Sequence, residues 1–173
     1  FKGAGSFKGE IYHTGQWPHE AVDFTGKRAG IIGTGSSAIQ SIPVIAEQAA
    51  HLTVFQRTPN YSVPAGNRPL DRAMEREIKS NYADFRARNN EMQSAYGAYY
   101  KRAPASALDA TPEELQRTYE QGWKNGGLLF LNAYDDLLIN KQANDTAAEF
   151  IRAKIRSIVK DPATAELLSP DTV

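Results

Sequence analysis

The chain has 173 residues, enough for one domain or one and a half, and its 41% hydrophobic and 23% charged residues are typical of a globular protein. Its 20 Lys and Arg residues balance 20 Asp and Glu residues, so net charge gives no reason to expect a nucleic acid or an anionic membrane surface as a partner. The chain has no cysteine, which excludes disulfides, zinc–thiolate sites and a cysteine nucleophile. We predict no metal site, no membrane-spanning segment and a cytoplasmic location.

The sequence changes character between Pro64 and Pro69. Before this point the pattern is strand, turn, helix and strand, and after it the pattern is helical almost throughout. We therefore predict an α/β fold class, in which a partial Rossmann-like domain with one β-α-β unit is followed by a mainly α-helical subdomain. The predicted boundaries are 1–27 for a linker, 28–66 for the β-α-β part and 67–173 for the helical part.

The β-α-β unit is predicted from three consecutive patterns. Residues 28–33 form a short apolar run that ends in glycine, as expected for a buried parallel strand. Apolar residues of 37–50 recur at helical spacing, and Pro43 lies early enough in this stretch to be tolerated. Residues 52–55 are a second β-prone run, and the crossover between the two strands is expected to be right-handed.

Several helices are predicted in the second half, and core packing is the simplest interpretation of their apolar stripes. Thr111 and Glu114 have the spacing of a capping box with Pro112 at the first helical position, and Asp161 with Pro162 predicts a short helix. Residues 89–107 are less regular and are predicted to be a loop with one helical turn. The stripes consist of Met74, Ile78, Tyr82 and Phe85, then Leu115, Tyr119 and Trp123, then Ala147, Ile151, Ile155 and Ile158.

A glycine-rich turn at residues 33–38 carries the strongest local chemical signal. It has the form G-x-G-x-x-A between a predicted strand and a predicted helix, which is the pattern of dinucleotide-binding turns. Gly33 permits the tight turn, and Gly35 leaves room for a pyrophosphate at the positive end of the helix dipole. A tight turn without a ligand is the alternative interpretation. The predicted dinucleotide-binding residues of this turn are Gly33, Thr34, Gly35, Ser36 and Ser37.

The residues after the second strand indicate which dinucleotide would bind. NAD sites place a carboxylate there, on the ribose 2′-hydroxyl, whereas this chain has Arg57 and Thr58. A guanidinium donates two hydrogen bonds to a phosphate, and the threonine hydroxyl donates one more. We therefore predict NADPH rather than NADH, with a solvated Arg57 of no special role as the alternative.

The segment before the glycine turn resembles a known fingerprint. Five residues match the pattern F-x-G-x-x-x-H-x-x-x-W-P, which is similar to the fingerprint of Baeyer–Villiger monooxygenases. Residues 23–28, 56–59, 148–152 and 161–162 also resemble that family, closest to its phenylacetone, cyclopentanone and larger-ring ketone enzymes. The fingerprint residues are Phe7, Gly9, His13, Trp17 and Pro18.

The resemblance implies an oxidoreductase that binds FAD and NADP(H) and inserts one oxygen atom of O2 into a ketone to give an ester or lactone. It implies that the fingerprint links two nucleotide domains, that His13 couples cofactor state to domain motion, and that Gln40 lies near the dinucleotide. It implies that the helical part is inserted in the NADP domain. It also implies that the FAD turn and the catalytic arginine belong to the remainder of the same polypeptide, so these residues alone are expected to be inactive.

Two alternatives remain at this stage. The first is a flavin monooxygenase that oxidises nitrogen or sulfur, although His13 and the Trp17–Pro18 pair favour the ketone enzymes. The second is a dinucleotide-binding module without chemistry, which would need a self-sufficient sheet. Because two strands leave apolar edges exposed, we expect this segment to be poorly stable alone, to associate, or to belong to a longer chain.

Overall fold

A computed structural model of the chain describes residues 2–91 and 105–170. The protein is α/β with predominantly helical content, and the two strands found among these residues form a parallel sheet. Within the described ranges, no helix has the length and apolarity needed to cross a bilayer. The elements are β1 (Arg28–Ile32), α1 (Ser36–Gln48), β2 (His51–Phe55), α2 (Arg72–Ser80), α3 (Tyr82–Glu91), α4 (Pro112–Asn125), α5 (Lys141–Ile158) and α6 (Pro162–Leu167), with short 3-10 turns at Ala4–Ser6, Thr14–Gln16, Ala107–Asp109 and Gly127–Asn132.

The chain divides into two compact units, Phe1–Asn60 and Tyr61–Val173. In the first unit, β1 and β2 pair in register from Arg28 opposite His51 to Ile32 opposite Phe55, and α1 connects them. This confirms the predicted β-α-β order. The helix continues across Pro43, as expected, and buries Ile45. The sheet is poorly covered, since Ile32 is 82% exposed and Phe55 is 57% exposed.

The second unit is built around a cluster of aromatic side chains. The ring of Tyr119 stacks on that of Phe130 with centroids 5.4 Å apart, and the ring of Phe150 lies 5.8 Å from that of Phe130. Tyr134 meets Tyr119 edge-on at 5.7 Å, an arrangement that adds to the stabilisation from burial. Helix α5 contributes most of the remaining core, as its buried residues are Ala143, Ala147, Ala148, Phe150 and Ile151.

The helix starts of the second unit follow local sequence rules. The predicted capping box is present, because the Thr111 hydroxyl accepts from the Glu114 amide at 3.2 Å and the Glu114 carboxylate accepts from the Thr111 amide at 3.0 Å. Asp161 caps α6 without the reciprocal bond, as its carboxylate accepts from the Thr164 amide at 2.8 Å. Side-chain caps therefore satisfy backbone donors that have no partner inside the helix.

Three helical predictions need correction. The stripe from Met74 to Phe85 lies on two helices, because the backbone leaves the helical region at Asn81, where φ is −125° and ψ is 37°. Next to this point the Ser80 hydroxyl donates to the Glu77 carbonyl at 2.8 Å, a local bond that competes with the helix. Ile158 is 62% exposed and does not join the core. Residues 89–91 of the expected loop are the end of α3, while residues 92–104 lie outside the described residues.

Candidate functional site

The glycine turn joins the carboxyl end of β1 to the first residue of α1. Gly33 has a φ of +97°, a conformation that glycine adopts at little cost. Its amide donates to the Phe55 carbonyl at 2.8 Å, so the turn starts directly from the paired strands. Thr34 is buried, whereas Gly35, Ser36 and Ser37 are exposed. The predicted placement of residues 33–38 between a strand and a helix is therefore present.

Gly35 occupies the N-cap of α1 without a conformational need for glycine. Its φ is −71°, and a Cβ atom built there would meet no protein atom within 4 Å. The missing side chain therefore leaves open space outside the protein, at the point where the amides of the first turn have no partners within the helix. Helices α2, α4, α5 and α6 all have side-chain caps, but α1 has no side-chain cap hydrogen bond. This helix start is thus free to receive an anion.

Arg57 and Thr58 follow the last paired residue of β2. Because β1 and β2 are parallel and Ile32 pairs with Phe55, the residues after both strands emerge at the same edge of the sheet. Both side chains are exposed, and no ion pair joins Arg57 to another residue within 2–91 and 105–170. The topology therefore places the glycine turn and Arg57 on neighbouring strand ends, as the sequence predicted.

The fingerprint residues lie before β1 and make mostly local contacts. The His13 imidazole accepts from the Gly15 amide at 3.1 Å through Nδ1, which caps the 3-10 turn that precedes Trp17. The ring of Trp17 lies 5.6 Å from Tyr12 and 6.3 Å from Phe24. Phe7 is exposed, and its ring lies beside Gly9. A Cβ atom built on Gly9 would lie 2.7 Å from the Phe7 Cε1 atom, so any larger residue there would displace the ring.

A groove of about 460 Å³ brings part of the fingerprint and part of α1 together. Trp17, Ser37 and Gln40 line it, along with Val22, Phe24 and Val44. The Gln40 amide nitrogen donates to the Ser36 carbonyl at 3.0 Å, so its side chain lies back along the first turn of the helix. Of the sequence-predicted residues, Trp17, Ser37 and Gln40 line this groove, whereas Arg57 and Thr58 follow the end of β2.

Sequence reasoning missed the polar contact that supports this linker. The Lys27 ammonium lies 2.8 Å from the Glu10 carboxylate, and this hydrogen bond lowers the pKa of Glu10 and raises the pKa of Lys27. Partial burial raises the pKa of Tyr12, which also bonds to Glu10. The 17-residue separation between Glu10 and Lys27 has no local pattern that would reveal the pair.

Comparison with known proteins supports the sequence resemblance. The chain is 46% identical over 172 residues to a Baeyer-Villiger monooxygenase of Pseudooceanicola batsensis, covering 98% of this chain and 31% of that protein. It is 40% identical over 170 residues to the phenazine N-monooxygenase PhzNO1 of Lysobacter antibioticus, covering 97% of this chain and 31% of that protein. The chain thus spans about a third of the length of the curated relatives it matches. No protein-family model matches it.

Solved structures agree with these relatives. A structure of oxidized steroid monooxygenase bound to NADP superposes with a TM-score of 0.85 at 55% identity, covering 95% of this chain and 31% of that one. OTEMO in complex with FAD and NADP gives a TM-score of 0.90 at 39% identity, covering 98% and 33%. The fold of this chain is thus similar to that of a segment, about a third in length, of monooxygenases whose structures contain NADP, or FAD and NADP. Within that class, the chain is similar to Baeyer–Villiger monooxygenases over nearly all of its own length.

Proposed function

We propose that β1, α1 and β2 are the first part of a Rossmann-like domain that binds NADP(H). The observation that carries the proposal is the start of α1, where Gly35 leaves the first-turn amides uncapped and the space beside them open. A pyrophosphate fits such a site because the amides and the helix dipole both favour negative charge. The residues that would hold the dinucleotide are Gly33, Thr34, Gly35, Ser36, Ser37, Gln40, Arg57 and Thr58.

Arg57 is the residue we assign to the 2′-phosphate. It follows β2 at the edge where the glycine turn follows β1, and Phe55, Gln56, Arg57 and Thr58 include no carboxylate that would repel a phosphate. A guanidinium binds a phosphate through two parallel hydrogen bonds. The similar oxidized steroid monooxygenase has NADP bound in its structure, which supports the same choice of cofactor here.

The complete protein, in this proposal, is an FAD-dependent monooxygenase that uses NADPH and O2 to insert one oxygen atom into a ketone, giving an ester or lactone. FAD would be held mainly by parts of the polypeptide outside these residues and would supply the redox chemistry. The contribution of this chain is to bind and orient the nicotinamide cofactor. Residues 1–27 would serve as the interdomain linker, with His13 and Trp17 holding its shape, and the helical part would be an insertion in the NADP domain.

The decisive experiment compares two arginines at opposite ends of the sheet in the full-length enzyme. Arg57→Ala is expected to lower the preference for NADPH over NADH by tenfold or more, measured as the ratio of kcat/KM values. Arg28→Ala is the matched control, because Arg28 is also exposed but lies at the start of β1. An unchanged cofactor preference in Arg57→Ala would refute the assignment.

Oxidation of aromatic nitrogen is the second candidate function. It is favoured by the 40% identity to the phenazine N-monooxygenase PhzNO1, which is no more distant than several ketone monooxygenases among the relatives. Both reactions would use the same NADPH site. Product analysis of the full-length enzyme with cyclic or aryl ketones and with phenazine separates them, since the first yields an ester or lactone and the second an N-oxide.

A further inference from the structure

One arginine of the second unit contacts two segments that are far apart in the sequence. Arg152 on α5 donates through Nε to the Pro170 carbonyl at 2.9 Å. Its guanidinium also lies over the Tyr61 ring, 5.8 Å from the centroid. The Tyr61 hydroxyl completes the triangle by donating to the same Pro170 carbonyl at 3.3 Å, across 109 residues of sequence. We call Tyr61, Arg152 and Pro170 the Arg152 junction.

The junction is well shielded from solvent. The Arg152 side chain is 19% exposed, and Pro170 is among the fully buried side chains. Hydrogen bonds to a charged donor are stronger than neutral ones, and a guanidinium over an aromatic ring gains further when partly desolvated. The Pro170 carbonyl accepts two hydrogen bonds, so removal of Arg152 leaves a buried acceptor with one fewer partner. These contacts hold the first residue of the second unit against the segment that follows α6.

The chain connects this junction to the proposed 2′-phosphate residue by a short and stiff segment. Arg57 precedes Tyr61 by four residues, a span of about 14 Å at most. Pro59 fixes its own φ and restricts Thr58 to extended conformations, which removes much of the freedom of this span. Restraint of Tyr61 therefore limits the positions available to Arg57 through the covalent chain alone.

We propose that Arg152 is a positioning residue for cofactor choice: by fixing Tyr61 against Pro170, it restrains the segment that presents Arg57 to the 2′-phosphate. The inference rests on the proposed NADP(H) site. This positioning role of Arg152 differs from a general structural role in one respect. Loosening the junction weakens the interaction with the 2′-phosphate and leaves the interactions that NADPH and NADH share.

The test uses the full-length enzyme with Arg152→Met and the matched control Arg156→Met. Arg156 lies one turn further along α5 and pairs with Glu149 and Glu166, but within the described part of the chain it bonds to neither Tyr61 nor Pro170. In Arg152→Met we expect faster hydrogen exchange at both 61–66 and 168–169, and a three- to tenfold lower ratio of kcat/KM for NADPH over NADH. The control is expected to keep that ratio within twofold of the wild type.

Two results would overturn the proposal. One is faster exchange in both segments with a cofactor ratio within twofold of the wild type, and the other is exchange that is unchanged or rises in a single segment. If Arg152→Met does not fold, Tyr61→Phe replaces it, because this variant removes one hydrogen bond of the junction. We expect Tyr61→Phe to raise hydrogen exchange in both segments and to lower the ratio of kcat/KM for NADPH over NADH, each by less than expected for Arg152→Met. Arg57→Ala separates the two proposals. If Arg57→Ala loses its preference for NADPH while Arg152→Met keeps it, the positioning role of Arg152 is refuted and the proposed NADP(H) site stands.

Discussion

The two units of this protein satisfy their backbone and apolar groups in different ways. In the first unit, Ile45 is the one hydrophobic residue that is buried among the described residues, and Ile32 and Phe55 of the sheet are exposed. In the second unit, aromatic rings pack on one another, and the helices whose caps are described begin with side-chain acceptors. The first unit therefore leaves helix-start donors and apolar side chains of its sheet exposed, whereas the second unit covers most such groups.

The largest expected effect tests this contrast with one phenylalanine from each unit. Phe130→Ala removes a ring that is 1% exposed and is expected to destabilise the second unit by about 3–5 kcal/mol, because the cavity cannot fully collapse. Phe55→Ala on the open sheet is expected to cost about 1 kcal/mol or less. Urea unfolding followed by fluorescence measures both, since Trp17 lies in the first unit and Trp123 in the second.

Matched single-tryptophan variants assign each transition to its unit. Trp17→Phe leaves the signal of Trp123, and Trp123→Phe leaves that of Trp17. Equal losses of stability for Phe130→Ala and Phe55→Ala would contradict the contrast between a packed and an open unit.

A loss of stability smaller than that of Phe130→Ala is expected at alkaline pH, and only in the second unit. Burial raises the pKa of Tyr119 from its ordinary value of 10.0 to about 12, against a weaker opposite effect of its bond to Thr146. The neutral phenol therefore stabilises the fold fully below pH 10, and this stabilisation is lost as the pH rises from about 10 to about 12, by on the order of 2 kcal/mol. Unfolding free energies from pH 8 to 12, with Trp123 as probe, measure the loss.

Tyr119→Phe provides the control for this pH dependence. The variant lacks the hydroxyl that lies 2.6 Å from the Thr146 hydroxyl, so it is expected to be less stable by about 1 kcal/mol at neutral pH. It should also lose less stability above pH 10 than the wild type. Parallel pH curves for the two proteins would show that Tyr119 is not the group responsible.

The smallest changes in stability come from the helix starts, where the two units should respond in opposite ways. Thr111→Ala removes a cap of α4 and is expected to cost about 1 kcal/mol. Gly35→Asp adds an acceptor to α1 at a position with allowed φ and no neighbouring atoms, so stability should stay the same or rise by up to about 1 kcal/mol. NADPH affinity should fall at least tenfold, because the carboxylate occupies the place of the phosphate.

Calorimetric titration of the full-length enzyme with NADPH measures the expected loss of affinity in Gly35→Asp. Gly35→Ala is the matched variant, since it adds a Cβ atom without a charge and should weaken binding less than Gly35→Asp. A Gly35→Asp protein that binds NADPH as well as the wild type would show that this helix start is not the anion site.

Local features of this protein follow from the sequence because neighbouring residues decide them. The turn at residues 33–38, the strands on either side of α1 and the box of Thr111 and Glu114 each depend on a few consecutive side chains and their φ preferences. The same reasoning failed at Asn81 and Ile158. There the apolar period continued, but the Ser80 hydroxyl next to Asn81 bonds to the backbone, and Ile158 lies outside the core.

The tertiary structure alone decided the contacts between residues that are distant along the chain. The bond of Arg152 to Pro170, the contact of Tyr61 with both, and the pair of Glu10 and Lys27 have no signature in composition or periodicity. Their formation depends on which surfaces come within a few ångströms of each other inside each unit, and hydrophobic burial, which sets that packing, is not directional. A sequence pattern therefore identifies the candidate binding turn, whereas the restraint on the segment after Arg57 is visible only in the folded chain.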